Sequence, residues 1–450
     1  MRRLFGTDGI RGVANAEPMT PEFAMTLGGT MVRQLRHRGV ERPGVVCIGK
    51  DPRRSSDMLE HALASGVASM GGEAHLLGVL PTPAVAYLTN ALGAGMGVMI
   101  SASHNTFADN GIKLFGANGF KLSDEEEQNI ERLLDDALPK ERPLGADVGQ
   151  IILRTDALER YKAFVRATVD GDLSLSGLTI VVDCANGAAS AVVPALLNDL
   201  GATVIALHIE PNGVNINEGC GSLHPDVVAR VVGERGADLG LTFDGDADRV
   251  LAVDESGTLR DGDYLLAIFA RSLKEAGRLT NDVLVTTVMA NMGLDLDMKA
   301  LGVELVKTRV GDRYVLEEMS QRGAVLGGEQ SGHIIFLEHQ TTGDGVLTSL
   351  QLLQVLVSSG KPLSELASVM TKAPQVLINV PVSNKVDPMA QPGVREAVEA
   401  AEATLADSGR VLVRSSGTEP LVRVMVEGLD EEAVRRQAET LAEAVRTLLA

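Results

Sequence analysis

The most specific stretch of the sequence is D-G-D-A-D-R, in which Asp244, Asp246 and Asp248 directly follow an apolar run. Carboxylates at i, i+2 and i+4 of an extended loop can converge on one hard cation through their oxygen atoms. Burying three like charges without a cation would be very costly in free energy. We therefore predict a metal site here rather than a solvated acidic turn.

An EF-hand is the nearest alternative for this loop. Asp244, Asp246, Asp248 and Glu255 would occupy positions 1, 3, 5 and 12 of such a loop. Position 6 is Arg249 instead of glycine, and strand-like segments flank the loop where an EF-hand has helices. Both departures weigh against an EF-hand.

A second stretch, V-M-I-S-A-S-H-N at 98–105, ends an apolar run in small polar groups. A strand that ends this way can present a hydroxyl at the edge of a sheet, although an ordinary turn would use the same residues. A serine hydrolase is not favoured, because there is no G-x-S-x-G and His104 is the immediate neighbour of Ser103. Near a metal, Ser103 could instead carry a phosphoryl group, with Lys113, His104 or Arg11 handling protons and oxyanion charge.

A third stretch, V-R-S-S-G-T-E-P at 413–420, could bind an anion. Its hydroxyls and successive backbone N–H groups can form a nest, and two arginines add charge-assisted donors. It is neither a Walker loop nor G-x-G-x-x-G, so it suits a phosphate held without hydrolysis; a polar hairpin tip is equally compatible. The candidate residues are Arg414, Ser415, Ser416, Gly417, Thr418 and Arg423.

Three further loops are weaker when taken singly. F-G-T-D-G-I-R-G at 5–12 places Arg11 between glycines, and K-T-R-V-G-D-R at 307–313 is basic. G-E-Q-S-G-H at 328–333 offers Glu329, Ser331 and His333, of which a carboxylate and a hydroxyl could bind sugar hydroxyls. Glycine-rich turns and solvated loops would explain the same residues.

Composition narrows the function classes. The net charge of −19 over 450 residues argues against nonspecific binding of nucleic acid or of an anionic membrane. Without tryptophan and with few other aromatic residues, any sugar would be held by polar groups. Three cysteines without C-x-x-C spacing indicate neither a disulfide framework nor a zinc site. No leader or membrane-spanning run is evident, so a cytoplasmic location is expected.

Short apolar runs alternate with helical patterns from about residue 45 to 370, which predicts mostly parallel, buried sheets. The C-terminal part differs, with two strands around a loop and then a helix opened by Asp430. One face of that helix is predicted to carry Val434, Ala438, Leu441, Val445 and Leu448. We predict three α/β domains over 1–155, 156–256 and 257–370, a linker near 372–375, and a smaller α+β domain over 375–450.

Taken together, the stretches S-A-S-H-N, D-G-D-A-D-R, G-E-Q-S-G-H and R-S-S-G-T-E-P resemble those of the α-D-phosphohexomutase superfamily, in the same order and at similar spacing. The similarity covers essentially the whole chain. G-T-D-G-I-R-G near the start and Gln330 are most similar to the bacterial members that act on glucosamine phosphates. One departure is Thr106, which stands where the family usually has a proline that would stiffen the loop.

The resemblance implies four domains around a central cleft, namely three similar α/β domains with mixed, mostly parallel sheets and a smaller C-terminal α+β domain. It implies one Mg²⁺ per chain, held by Asp244, Asp246 and Asp248 beside a phosphoserine at Ser103. It also implies that Arg249 is catalytic. The loop 328–333, called the sugar loop below, and the candidate residues between 414 and 423 would bind the substrate.

The implied reaction converts glucosamine 6-phosphate to glucosamine 1-phosphate through a 1,6-bisphosphate, which also serves as primer. The product would feed UDP-N-acetylglucosamine synthesis. A phosphoglucomutase or phosphomannomutase, or a Mg²⁺-dependent sugar phosphatase, remains an alternative. The expected partner is a small sugar phosphate rather than a nucleic acid or a membrane, and a homodimer is allowed.

Overall fold

The computed structural model describes residues 4–6, 8–39, 44–136, 138–139, 141–383, 387–415 and 421–449. The chain divides into two compact units. The first comprises Met1–Met289 and Gly302–Val369, and the second comprises Ala290–Leu301 and Met370–Ala450. Each unit is described by itself.

The first unit begins with a six-stranded mixed sheet. Its strands are β1 (Ile10–Val13), β2 (Val45–Lys50), β3 (Glu73–Val79), β4 (Met96–Ile100), β5 (Asp109–Gly116) and β6 (Ile151–Leu153). Its helices are α1 (Pro21–His37), α2 (Arg54–Ser69), α3 (Thr82–Ala91) and α4 (Asp124–Asp135). The spatial order is β1-β5-β4-β2-β3-β6, in which β5 is antiparallel to both of its neighbours.

A five-stranded sheet follows in the same unit. Its strands are β7 (Thr179–Asp183), β8 (Thr203–Leu207), β9 (Leu239–Phe243), β10 (Val250–Asp254) and β11 (Leu259–Arg260), in the order β11-β10-β9-β7-β8. The helices of this segment are α5 (Ala157–Arg166), α6 (Val193–Asp199) and α7 (Pro225–Arg235). Strands β9 and β10 are buried throughout and pair antiparallel. The loop that joins them is therefore flanked by a buried strand on each side.

The next segment contributes a four-stranded sheet to the first unit. Its strands are β12 (Val283–Thr287), β13 (Glu304–Thr308), β14 (Leu326–Gly328) and β15 (Ile334–Phe336), in the order β13-β12-β14-β15. The helices along this part of the chain are α8 (Gly262–Glu275), α9 (Met292–Leu301), α10 (Asp312–Arg322), α11 (Gly345–Ser359) and α12 (Leu363–Ala367).

The second unit is a three-stranded antiparallel sheet with helices. Its elements are β16 (Gln375–Pro381), α13 (Pro392–Leu405), β17 (Gly409–Ser415), β18 (Leu421–Gly428) and α14 (Glu431–Leu449), with β18 central. Helix α9 also belongs to this unit. The Asn291 side chain both donates to Ala373 O and accepts from Ala373 N, at 3.1 and 2.8 Å. The buried Glu427 carboxylate accepts from the Met292 N–H.

Several sequence expectations can be compared with these elements. The mixed, mostly parallel sheets and the smaller α+β unit are confirmed. Helix α14 buries Val434, Ala438, Leu441 and Val445 as predicted, but Leu448 near its end is 43% exposed. The prediction that Leu448 lies on the buried face is therefore wrong. The four domain boundaries stay predictions.

Within the described ranges, no helix combines the length and the apolar character that crossing a membrane would require.

Candidate active site

The three aspartates of the D-G-D-A-D-R loop form a buried cluster directly after β9. Asp244, Asp246 and Asp248 are at most 3% exposed, and one carboxylate oxygen from each lies within 4.8 Å of the others. Burial and the charges of Asp248 and Asp246 raise the pKa of Asp244 well above its usual range. The loop therefore concentrates negative charge at one point.

Two oxygens of this acidic cluster have no hydrogen-bond partner among the described residues, namely Asp246 Oδ1 and Asp248 Oδ1. Buried polar atoms are normally paired, so unpaired oxygens at a convergent site indicate a missing ligand. An all-carboxylate donor set suits a hard cation. These residues fit Mg²⁺.

The structure removes the EF-hand alternative. Glu255 points away from the acidic cluster, because its carboxylate accepts from the backbone N–H of Ser364 at 3.3 Å and from the Ser364 hydroxyl. The chain after the cluster continues into strand β10 rather than a helix.

Ser103 lies against the acidic cluster. It follows β4 and is 1% exposed, and its Oγ donates to Asp244 Oδ2 at 2.6 Å. Its φ of 52° is in the left-handed region, which is uncommon for a serine, and its backbone N–H donates to Ser101 Oγ at 2.9 Å. Two motifs 141 residues apart thus meet at one hydroxyl and one carboxylate.

A glycine permits this close approach. A Cβ on Gly245 would lie 2.6 Å from Ser103 O and 2.8 Å from Asn217 Nδ2, which is closer than real Cβ contacts. The glycine between the first two aspartates is therefore required by packing.

The loop 101–108, which contains Ser103 and is called the serine loop below, is held by a buried arginine that sequence reasoning missed. The Arg53 guanidinium donates to Ser103 O at 2.9 Å, to Asn105 O at 2.8 Å, to Asp109 O at 3.2 Å and to Thr106 O. Its Nε donates to Asp51 Oδ2 at 2.8 Å. All five guanidinium N–H groups are used, so Arg53 fixes the loop that contains Thr106.

Asn217 is a second support that the sequence did not reveal. Its Nδ2 donates to Ser103 O and to Asn105 O, both at 2.9 Å. The D-P-R-R stretch directly after β2 places charged residues behind a buried strand, but it shows neither which carbonyls Arg53 binds nor any role for Asn217.

Lys113 lies at the other side of the acidic cluster, on β5. Its Nζ is 2.8 Å from Asp246 Oδ2, 3.0 Å from Asp248 Oδ2 and 3.2 Å from Asp8 Oδ2. Burial acts to lower the pKa of Lys113, but these carboxylates outweigh it and hold the pKa well above its usual range. The side chain is a buried ammonium ion.

His104 lies beside the serine, and the charges of the two predicted catalytic arginines act on its imidazole. His104 Nδ1 is 3.5 Å from Ser103 Oγ, and burial together with the Arg249 and Arg11 charges lowers its pKa to about 4. Arg11, on β1, pairs with Asp8 at 2.5 Å. Arg249 joins the acidic cluster, since its backbone N–H donates to Asp244 Oδ1 at 3.2 Å.

The predicted sugar loop connects β14 and β15 in the same unit. Glu329 Oε1 accepts from Gly311 N at 3.2 Å, and Ser331 Oγ is buried without a partner in the described part of the chain. His333 is 3% exposed, with Nδ1 3.7 Å from Asp248 Oδ1, and its Nε2 accepts from Gly343 N at 3.0 Å. His333 is thus packed against the acidic cluster, whereas the Ser331 hydroxyl is available to a ligand.

The predicted phosphate-binding residues lie in the second unit. Arg414 on β17 is directly opposite Arg423 on β18, and Ser415 ends β17. Like charges in facing positions destabilise a sheet unless an anion offsets them. Burial and the Arg423 charge lower the pKa of Arg414, and Arg423 Nε is a buried donor with no partner among the described residues. Ser416, Gly417 and Thr418 lie outside the described residues.

Domain matches and full-length relatives place the chain in the same protein family. The four domain descriptions of the phosphoglucomutase/phosphomannomutase family, domains I, II and III and the C-terminal domain, match residues 2–140, 159–257, 261–373 and 377–444. The phosphoglucosamine mutase of Syntrophotalea carbinolica is 51% identical over 445 residues, which cover 99% of this chain and 97% of the relative.

Solved structures agree with this result. A putative phosphomannomutase of Thermus thermophilus is 28% identical with a TM-score of 0.77, covering 100% of this chain and 99% of the other. The N-acetylphosphoglucosamine mutase of Aspergillus fumigatus, solved with GlcNAc-6P and magnesium, shares the fold at 18% identity and a TM-score of 0.68, covering 100% of this chain and 96% of the other. The chain belongs to the phosphoglucomutase/phosphomannomutase family, and within it to the phosphoglucosamine mutases.

Proposed function

We propose that this enzyme interconverts glucosamine 6-phosphate and glucosamine 1-phosphate through a phosphoserine at Ser103. The observation that carries the proposal is the 2.6 Å hydrogen bond from Ser103 Oγ to Asp244 within the buried acidic cluster. A hydroxyl at a cation site can hold a phosphoryl group whose charge the cation neutralises. Relatives that are at least 51% identical over nearly the whole chain carry the name of this activity.

The metal part of the proposal concerns one Mg²⁺ per chain. Asp244, Asp246 and Asp248 would hold the ion, together with an oxygen on Ser103. When bound, Mg²⁺ would supply charge neutralisation to the transferred phosphoryl group.

The protein side chains would divide the remaining work. In the first half-reaction the sugar 1-hydroxyl oxygen bonds to phosphorus as the Ser103 Oγ–P bond breaks. In the second half-reaction, Ser103 Oγ bonds to the phosphorus of the 6-phosphate as the bond from that phosphorus to the sugar O6 breaks, which restores the phosphoserine. With a pKa of about 4, His104 is neutral at pH 7 and can accept the hydroxyl proton. The Lys113 ammonium and the Arg11 and Arg249 guanidiniums balance oxyanion charge.

Two other groups would hold the substrate. The Ser331 hydroxyl and the Glu329 carboxylate can bind sugar hydroxyls. Arg414 and Arg423, with Ser415 and the loop after it, would hold the phosphate that does not react. One site that transfers a phosphoryl group and one that only holds it are what isomerisation through a reorienting 1,6-bisphosphate needs.

A sugar 1,6-bisphosphate is the proposed primer of Ser103, and the product would supply UDP-N-acetylglucosamine synthesis. A homodimer and a cytoplasmic location stay predictions. The cytoplasmic location is supported by three buried, free cysteines, which suit a reducing compartment.

The decisive experiment compares kcat/KM for glucosamine 6-phosphate, glucose 6-phosphate and mannose 6-phosphate, with Mg²⁺ and a bisphosphate primer. We expect a preference for the amino sugar of about 100-fold, which corresponds to about 2.7 kcal/mol of differential transition-state binding. Equal values would contradict the glucosamine assignment but leave a hexose mutase. Release of free phosphate equal to substrate loss would establish a phosphatase instead.

A further inference from the structure

A second group of metal-ligating side chains lies outside the acidic cluster. Asp183 ends β7, His208 directly follows β8, and Cys220 follows the loop 209–219. A carboxylate oxygen, an imidazole nitrogen and the thiol sulfur of these three residues all lie within 4.8 Å of one another. The three residues are called the Asp-His-Cys cluster below.

The histidine of the Asp-His-Cys cluster has an unused nitrogen. His208 Nδ1 is buried and makes no hydrogen bond with any described residue, although it lies 3.1 Å from Asp183 Oδ1. Proximity to a carboxylate without hydrogen-bond geometry leaves the nitrogen lone pair or proton unsatisfied. A metal ion between the two atoms would satisfy both.

The carboxylate is already oriented for such a role. Asp183 is fully buried, its Oδ1 accepts from Ala185 N at 2.8 Å, and its Oδ2 accepts from Gly221 N at 3.0 Å. Each oxygen keeps a further lone pair. Backbone donors that fix a carboxylate in this way are the usual outer contacts of a metal ligand.

We propose that Asp183, His208 and Cys220 bind one Zn²⁺ ion, with water in a fourth position. An imidazole nitrogen, a thiolate sulfur and a carboxylate oxygen are the three ligand types that Zn²⁺ accepts. The ion would displace the Cys220 thiol proton to solvent. One carboxylate, one thiolate and Zn²⁺ sum to zero charge, so the complex can be buried at low electrostatic cost. His208 is partly exposed, which provides a route of entry.

The position of this site connects it to the serine loop. His208 and Cys220 bracket the loop 209–219, which contains Asn217. The Asn217 amide holds the carbonyls of Ser103 and Asn105. An ion that ties both ends of this loop to β7 would therefore order a support of the reacting serine without touching the substrate.

Cobalt absorption of the full-length, Mg²⁺-saturated enzyme tests the proposal. We expect one equivalent of Co²⁺ to produce a thiolate-to-cobalt charge-transfer band, which carboxylates alone cannot give. The Cys220→Ser variant should lose the band, whereas Cys184→Ser, a buried thiol outside the Asp-His-Cys cluster, should keep it. The band should also persist in Asp246→Asn, which separates this site from the acidic cluster.

Absence of the band in the native enzyme, or its survival in Cys220→Ser, would overturn the proposal. A second measurement needs no variant, since Zn²⁺ should slow amide hydrogen exchange across 209–219 in the native enzyme. Unchanged exchange there would also overturn it. Neither readout involves a sugar phosphate, so the result is independent of the proposed mutase activity.

Discussion

At the scale of single residues, Ser103 combines a left-handed backbone, almost complete burial and a hydrogen bond to the acidic cluster. A non-glycine residue in this conformation costs on the order of 1 kcal/mol or more, and it persists only where its surroundings enforce it. Here the enforcing contacts are those of Ser101, Arg53 and Asn217. The strain is thus used to aim one hydroxyl.

The first prediction concerns that hydroxyl. Ser103→Ala should lower kcat by at least about 10³-fold, because no other oxygen can carry the phosphoryl group at this position. Labelling with a sugar bisphosphate carrying radioactive phosphate should transfer label to the native protein and not to the variant. Ser65→Ala, in an exposed part of α2, is the control and should keep both properties. Label retained in Ser103→Ala would refute the assignment.

At the scale of elements, the carboxyl ends of β2, β4 and β9 deliver Arg53, Ser103 and the three aspartates to one place. Apolar runs followed by polar loops made the second and third of these predictable from sequence. Arg53 and Asn217 were not predictable, because they act on backbone carbonyls 50 and 114 residues away in the chain. The antiparallel direction of β5 in the first sheet and of β10 in the second was not predictable either, since a buried run has the same composition in either direction.

The second prediction tests the clamp on the serine loop. Arg53→Lys should lower kcat by roughly 10- to 100-fold with a smaller effect on KM, because three ammonium donors cannot replace five guanidinium donors. The free energy of unfolding should fall by about 2–4 kcal/mol, since buried carbonyls lose their partners. Steady-state kinetics and urea unfolding measure both effects.

The adjacent exposed Arg54 supplies the control for this prediction, and Arg54→Lys should match the native enzyme in both measurements. Native kinetics in Arg53→Lys would show that the loop is held by Asn217 alone.

The same limits of sequence reasoning apply to the Asp-His-Cys cluster. Cysteine spacing gave no sign of it, because its three ligands come from the ends of β7 and β8 and from a loop. Only the parallel pairing of β7 with β8 brings the first two together.

At the scale of the whole first unit, Asp344 links segments that are far apart in sequence. It caps α11 by accepting from Leu347 N at 2.9 Å, and the Tyr161 hydroxyl of α5 donates to it at 2.8 Å. The next residue, Gly345, donates its N–H to Ala247 O at 3.0 Å within the acidic loop. One buried carboxyl thus supports the site from behind.

The third prediction follows from the pKa of Asp344, which burial raises from 3.8 to about 6. Below pH 3.8 the group is protonated in both states. As the pH rises, the unfolded chain ionises first, so stability is lost until the pH passes about 6. The difference in unfolding free energy between Asp344→Asn and the native enzyme should shift in favour of the variant by about 2–2.5 kcal/mol between pH 4 and 7.

Urea unfolding at several pH values measures this difference. Asp172→Asn, at an exposed position, is the control and should run parallel to the native enzyme. A pH-independent difference for Asp344→Asn would contradict the prediction, because it would mean that the carboxyl has the same pKa in the folded and the unfolded protein.

Helix α9 belongs to the second unit, although the chain before and after it belongs to the first, and this has a consequence for protein synthesis. Residues 290–301 leave the ribosome well before β16, β17 and β18, the strands of the unit to which they belong. More than a hundred further residues must be synthesised before Glu427, whose carboxylate accepts from the N–H at the start of this helix, is available. The second unit therefore cannot mature in step with translation, and a gene fragment encoding only 370–450 would lack one of its own helices.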